Sequence, residues 1–436
     1  VKPFIELGFM PSEFARSDET VFAWKGNITM AKHISLWTGL VKEFVKHCIN
    51  RYGSREVETW YFEVWNQPDF EGIFWVGGME NYFEFYKETA LAVKSISPAL
   101  KVGGPAIAYQ TVMETGWLEE FLQYTVTWRV PLDFVSVHVY SEVYDSKNPV
   151  DDISPETEGR DHSSEYNPSL LKRKDGSPKI YYSKDHTYNI TVLTKQKIDQ
   201  ILSDEPELHI TEWNVSSYGR NLINDTCFMA AFIIYNVLRL NGKAGSLGFW
   251  TFTDILDEQK VGISAFHGGL GLFNKDGIKK PAYYAYYFLS KLGQKIIDQG
   301  EDYIVTKEQE NIQILVYNYA YFDNLFLRGD ISLLSNENRY RSFEEKPDKK
   351  VNIKLNGITG RYKQTEYKLD REHGSAVDQW IKMGAPESMS RDEIEYLKGK
   401  SQPEILVKVK DCSGTYSESL LVPVHGMVLI VLEHLK

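Results

Sequence analysis

Cysteine is scarce: Cys48, Cys227 and Cys412 are the only three in 436 residues, far apart and without C-x-x-C spacing. An odd, scattered set excludes a disulfide framework and a cysteine zinc site, and it favours a reducing compartment. Positive charge is also in deficit, with a formal net charge of -11. That balance argues against a nucleic-acid backbone or an anionic membrane surface as the main partner, and for a neutral one. No apolar run reaches the roughly 18 residues of a membrane span. The opening VKPFIELGF lacks the basic start and small-residue cleavage site of a secretory signal. The expectation is a cytoplasmic protein, with periplasm or secretion left open because the natural N-terminus is expected upstream. The ten histidines include no H-E-x-x-H or H-x-H pair, which sets aside a metal-dependent hydrolase. Sequons at Asn27, Asn189, Asn214 and Asn224 read as chance.

What the chain does have is apolar and aromatic material, 42% and 14% of residues, enough for a large core and two or three domains. Up to about residue 292, short apolar runs alternate with helical patterns: FIELGF (4–9), WYFEVWN (60–66), LKVGGPA (100–106), FVSVHVY (134–140), ELHITEWN (207–214) and SLGFWTF (246–252). LWTGLVKEFVKHCINRYG, with apolar residues at i, i+3, i+4 and i+7 and a terminal Gly, predicts an amphipathic helix. Strand-helix alternation means a parallel sheet. Polar and aromatic residues gathered at the strands' carboxyl ends fit a (β/α)8 TIM barrel, whose site lies on that face. A full barrel has eight strands and only six are visible, so the first two strand-helix units are expected to be missing before Val1.

The barrel is expected over 1–294, with an insertion over 142–190 that is rich in Ser, Asp, Pro and Lys and carries a small hairpin at KIYYSK. From 295 to 436 the pattern becomes alternating strands with turns, as in NIQILVYNY, VNIKLNGI, EILVKVKD and HGMVLIVLE, which predicts a C-terminal β-sandwich. Closing the pocket and forming a homo-oligomer are its two candidate roles.

Two strand ends, EVWNQP and HITEWN, carry the chemistry. Retaining cleavage of a glycosidic bond needs two carboxyl groups about 5–5.5 Å apart, one to protonate the leaving oxygen and one to attack the anomeric carbon. In a barrel such groups come from different strands.

FEVWNQPD, LHITEWNVSSY, FWTFTDILDE, SAFHGGLGLFNKDGIKKPAYYAYYFLSKLG and REHGSA followed by MGAP together resemble glycoside hydrolase family 39, particularly its β-xylosidases. The resemblance covers nearly the whole chain outside the insertion. It implies a general acid/base position at residue 67 and a nucleophile at Glu212. It further implies that Asn66 holds the sugar 2-hydroxyl and that His138 and Tyr140 line the pocket beside Glu212. Tyr218 and Trp250 would hold the nucleophile and form the sugar platform, and Asp257 and Glu258 would bind the outer hydroxyls. Phe74 and Trp75 resemble the aromatic loop after the acid/base, at a spacing one residue longer. Each has a plainer reading when taken alone: His138 as a satisfied core histidine, Tyr218 and Trp250 as core aromatics, Glu212 as a solvated strand end, Asp257 and Glu258 as surface loop. The joint pattern favours a saccharide site with no metal or organic cofactor.

The acid/base position, however, is Gln67. An amide delivers no proton at neutral pH, so the expectation is a retaining β-xylosidase disabled at one residue, with Gln67 either a deliberate replacement or a natural feature of a sugar-binding pseudo-enzyme. Glu63 on the same strand and Asp69 beyond Pro68 are expected not to substitute. An α-L-iduronidase or β-glucosidase-like specificity is the further alternative, the acidic DILDE loop weighing against the first.

Overall fold

A computed structural model describes residues 2–144, 180–256, 261–328 and 332–435. The chain divides into two compact units. One comprises Val1–Ser141, Asp185–Asn214 and Leu240–Phe249; the other comprises Glu142–Lys184, Val215–Arg239 and Trp250–Lys436.

The first unit is built on six parallel strands: β1 (Phe4–Leu7), β2 (Tyr61–Val64), β3 (Lys101–Ala108), β4 (Phe134–Tyr140), β5 (Glu207–Asn214) and β6 (Ser246–Phe249). They lie side by side in chain order, the topology of strand-helix repeats wound in one direction. Every residue of β4 is buried, as expected of a parallel strand covered on both faces. The covering helices are α1 (Ile34–Tyr52), α2 (Gly78–Lys94), α3 (Trp117–Trp128) and α4 (His186–Ile201). In α1 the buried stripe is Trp37, Val41, Val45 and Cys48, and Gly53 ends the helix at φ 88° with its N–H donating to the Ile49 carbonyl. Trp37 Nε1 donates to Thr89 Oγ1 at 2.8 Å, which fixes α1 against α2.

The second unit contains a six-stranded antiparallel sheet: β7 (Lys295–Gln299), β8 (Tyr303–Glu308), β9 (Asn311–Tyr317), β10 (Lys349–Leu369), β11 (Glu404–Val422) and β12 (Met427–Leu435), in the order β7-β8-β9-β12-β10-β11. β10 and β11 pair along their length, but only Arg361–Leu369 of β10 also pairs with β12. The unpaired first half of this hairpin turns its apolar side chains inward. Val351, Ile353, Leu355 and Leu420 pack on a core that includes Ile312, Ile314, Val316, Val428 and Ile430. Two layers facing one core are what make a sandwich, and here one hydrogen-bonded sheet supplies both.

Several expectations change. KIYYSK forms no hairpin of its own: Ile180–Tyr182 pairs antiparallel with Glu142–Tyr144, so two distant segments close on each other. The insertion ends before residue 190, because α4 already begins at His186. Among the strands of the second unit lie two helices that alternation alone did not reveal, Ala376–Lys382 and Arg391–Lys400. All three cysteines are buried and free. Asn27, Asn214 and Asn224 are buried too, which leaves no room for a glycan on them. Among the described residues no helix is long and apolar enough to cross a membrane.

Candidate active site

The carboxyl end of β2 passes into the loop through a strained backbone. Trp65 and Gln67 both have positive φ, 69° and 42°, in residues that carry a Cβ. Left-handed non-glycine residues cost on the order of 1–2 kcal/mol each, so the surrounding structure must hold them. Here the Gln67 N–H donates to the Ala106 carbonyl at 3.2 Å, and Ala106 is itself left-handed at a register shift between β3 and β4. The result is a Gln67 side chain turned inward, only 9% exposed.

A second irregularity places Glu212. Val137 of β4 pairs with Ile210 of β5, but His138 pairs with Glu212, so Thr211 is an extra residue in β5. Such a bulge re-aims side chains beside functional sites. Thr211 and Glu212, neighbours in sequence, both reach partners across the sheet. Thr211 Oγ1 donates to Glu63 Oε1 at 2.8 Å, while Tyr140 OH donates to Glu212 Oε2 at 2.7 Å. Gly248 of β6 accommodates the bulge, since a Cβ there would lie 2.4 Å from the Thr211 carbonyl oxygen.

His138 joins the two strand ends. Its Nδ1 lies 3.0 Å from Gln67 Nε2 and 3.3 Å from Glu212 Oε2. These two legs cap the separation of Gln67 Nε2 and Glu212 Oε2 at about 6.3 Å. Burial drives the His138 pKa down to about 3, so the ring is neutral at pH 7. As Nδ1–H it donates to Glu212; as a bare nitrogen it accepts from the Gln67 amide. Asn66, one residue before Gln67, keeps a buried Oδ1 without a hydrogen-bond partner among the described residues. A polar atom buried unsatisfied next to a cluster of this kind is what a bound hydroxyl would satisfy.

The remaining carboxylates are occupied elsewhere. Glu63 is fully buried one layer below, bonded to Thr211, and burial raises its pKa to about 7 against the Ser136 and Thr211 hydrogen bonds. Asp69 accepts from the Ala108 N–H at 3.0 Å and from Thr111 Oγ1 at 2.6 Å, and burial lifts it to about 7 as well. Both are held by protein donors.

Gln67, His138, Tyr140 and Glu212 are thus brought together, with Asn66 adjoining them. Phe74 is half-buried on the loop after Gln67, its ring 5.7 Å from that of Phe22 and 6.3 Å from that of Phe70. Trp75 is wholly buried among Trp65, Tyr82 and Phe85, so it is core and not a pocket wall. Tyr218 and Trp250 are half-buried and belong to the second unit. Asp257 and Glu258 lie outside the described residues. Sequence reading overlooked the Thr211 bulge and the aromatic tip at Phe22 and Trp24; VFAWKG, two large aromatics in a short link, was the available signal for the second.

Parallel strands presenting an inward pair of polar positions at their carboxyl ends define a barrel-type glycoside hydrolase. The chain belongs to the glycosyl hydrolases family 39, whose model matches residues 1–416. It is 34% identical over 407 residues to a β-xylosidase of Caldicellulosiruptor saccharolyticus, covering 91% of this chain and 72% of that protein. With a β-xylosidase of Geobacillus stearothermophilus it shares 30% over 438 residues, 100% of this chain and 78% of the relative. In structure it resembles a monomeric β-xylosidase from Caulobacter crescentus, with a TM-score of 0.82, 28% identity, and coverage of 100% of this chain and 82% of that one.

Proposed function

We propose that this chain carries the site of a retaining β-xylosidase, with Glu212 as nucleophile and Gln67 at the position of the general acid/base. The observation that carries the reading is the cap of about 6.3 Å between Gln67 and Glu212 set by His138. It is compatible with the 5–5.5 Å of retaining enzymes and falls below the roughly 6.5–9.5 Å that inverting ones need for an intervening water. The relatives named above support xylose as the glycone.

In the first step a Glu212 carboxylate oxygen bonds to the anomeric carbon as the bond to the leaving oxygen breaks. Tyr140 and His138 orient that carboxylate, and Asn66 meets the sugar hydroxyl whose hydrogen bond tightens as positive charge develops on the ring. The leaving oxygen must then take a proton, and a Gln amide has none to give at neutral pH. Unactivated xylosides therefore bind and turn over slowly. Aryl xylosides with good leaving groups glycosylate Glu212 unaided, and the intermediate accumulates because nothing activates the incoming water.

Nitrophenol release from an aryl β-xyloside, and xylose release from an unactivated xyloside, are to be compared between the Gln67 protein and Gln67→Glu, with and without azide. The expected result is azide acceleration of the Gln67 form, and turnover of the unactivated substrate about 10²–10⁴-fold faster in the Glu form. A Gln67→Glu protein no faster than its parent would overturn the assignment of the proton donor. Saccharide binding without turnover in both forms would leave a carbohydrate-binding protein.

A further inference from the structure

Residues 8–33, between β1 and α1, carry a short hairpin, Thr20–Val21 paired with Gly26–Asn27, whose tip is Phe22-Ala23-Trp24-Lys25. The tip is held rather than loose. The Met10 N–H donates to the Asn27 carbonyl at 3.0 Å, and the Val76 N–H donates to the Ile28 carbonyl at 2.9 Å, so the hairpin is tied both to the end of β1 and to the loop after Gln67. Phe22 and Lys25 bracket the tip at φ 62° and 58°, two strained positions. Trp24 folds back over Gly26, where a Cβ would stand 2.4 Å from the indole. Yet the indole remains 50% exposed.

The rings form a continuous wall. Trp24 and Phe22 stack at 6.1 Å and 29°, Phe22 meets Phe74 at 5.7 Å, and Phe74 stacks on Phe70 at 6.3 Å and 27°. Phe9 links the wall to the core, 5.5 Å from Trp24 and 5.4 Å from the buried Trp65. At its near end the Phe70 N–H donates to the Gln67 carbonyl at 3.1 Å. The wall therefore hangs from β1 and β2, whereas Glu212 is on β5, three strands further along the sheet. In a displacement at the anomeric carbon the leaving group departs from the face opposite the nucleophile, which is the Gln67 side. The wall starts on that side, at Phe70, and an aromatic face suits the C–H face of a pyranose, an amphipathic surface that rings cover without needing a charge.

We propose that Phe22 and Trp24 form a binding platform for the leaving-group saccharide, so that the site recognises a second β-linked pyranose beyond the glycone. The platform rests on the reading of Gln67 and Glu212 given above. It assigns to Phe22 and Trp24 the discrimination between xylobiose and a simple alkyl xyloside.

The test is calorimetric titration of the Gln67 protein with xylose, methyl β-xyloside and xylobiose, repeated for Trp24→Ala and Trp24→Tyr. The parent is expected to bind xylobiose more tightly than methyl β-xyloside. Trp24→Ala is expected to lose between about 3- and 10-fold in xylobiose affinity with methyl β-xyloside unchanged, and Trp24→Tyr, which keeps a ring, to recover most of the loss. If Trp24→Ala weakens both glycosides equally, or neither, the platform is wrong while the glycosidase reading stands. If none of the sugars binds the parent, the glycosidase reading fails and the platform falls with it.

Discussion

Two of the places where the molecule buries ionisable side chains are treated in opposite ways. In the second unit Lys280, Arg339, Asp225 and Asp254 are wholly buried yet paired. Lys280 Nζ lies 2.9 Å from Asp225 Oδ1, 2.9 Å from Asp254 Oδ1 and 2.7 Å from the Gly269 carbonyl, and Arg339 Nη1 lies 2.8 Å from Asp225 Oδ2. Burial would raise the Asp225 carboxyl, but Lys280 and Arg339 outweigh it and hold the pKa low. In the first unit Glu63 and Asp69 are instead held by hydroxyl and backbone donors. Glu63 is kept near neutrality by burial, His138 is uncharged, and Asn66 Oδ1 is left unsatisfied. Buried charges that pair with one another build structure; buried polar groups without such pairing leave positions that a ligand can fill.

The sharpest way to separate the two regions is Gln67→Glu. It should change turnover of unactivated xyloside by about 10²–10⁴-fold, while the melting temperature stays close to that of the parent, because Gln67 and Glu are isosteric and the partner His138 Nδ1 is retained. A melting temperature that falls steeply, with activity unmoved, would erase the contrast. Lys280→Met is the mirror image. It takes from Asp254 the cation described beside it and leaves Asp225 with Arg339, and it should cost about 3–5 kcal/mol of stability, read by denaturant titration. Saccharide affinity per folded molecule should be unchanged.

The same contrast marks how far the sequence could be read. The two strand ends and their polar residues were legible because NQP and TEW are local, and strand-helix alternation set the parallel order. The bulge at Thr211 was not legible, since it is decided by pairing with β4 and by the room Gly248 leaves, neither of which is local. The helix Arg391–Lys400 was legible in principle: Ser390 accepts from the Glu393 N–H and Glu393 accepts from the Ser390 N–H, a capping box written in the sequence as S-x-x-E. The hairpin of β10 and β11 was underestimated in length because its outward residues break the alternation. The partner of KIYYSK lay beyond a long insertion, where local pattern carries no information. The buried ionic cluster was also invisible, because its four members are brought together only by the fold.

Protonation gives a third test. The Glu63 pKa in the fold is about 7 against 4.5 for an unhindered group, so its contribution to stability is complete below about pH 4.5 and is lost as pH rises through about 7. Asp69, raised from 3.8 to about 7, acts in the same sense. Melting temperature should therefore fall between pH 5 and pH 8. Glu63→Gln, which cannot ionise, should flatten that fall by its share of roughly 3 kcal/mol and leave the Asp69 share in place. An unchanged slope would mean that Glu63 is ionised in the fold and that the layer beneath the site resembles the paired cluster after all.

The smallest effect expected is that of Tyr140→Phe. The Tyr140 hydroxyl donates to Glu212 Oε2 at 2.7 Å, alongside His138 Nδ1 at 3.3 Å from the same oxygen. Removing the Tyr140 donor leaves His138 Nδ1 beside the carboxylate, so the fold should tolerate the change. A hydrogen bond to a charged group contributes about 1.5–3 kcal/mol. If the Tyr140 bond persists while Glu212 attacks, its loss appears chiefly as weaker orientation of the carboxylate, and glycosylation by an activated aryl xyloside should slow by about tenfold or more in a pre-steady-state burst. Melting temperature should move little. A burst rate equal to the parent's, together with a lowered melting temperature, would place Tyr140 with the residues that complete the scaffold rather than with those that present Glu212 to a ligand.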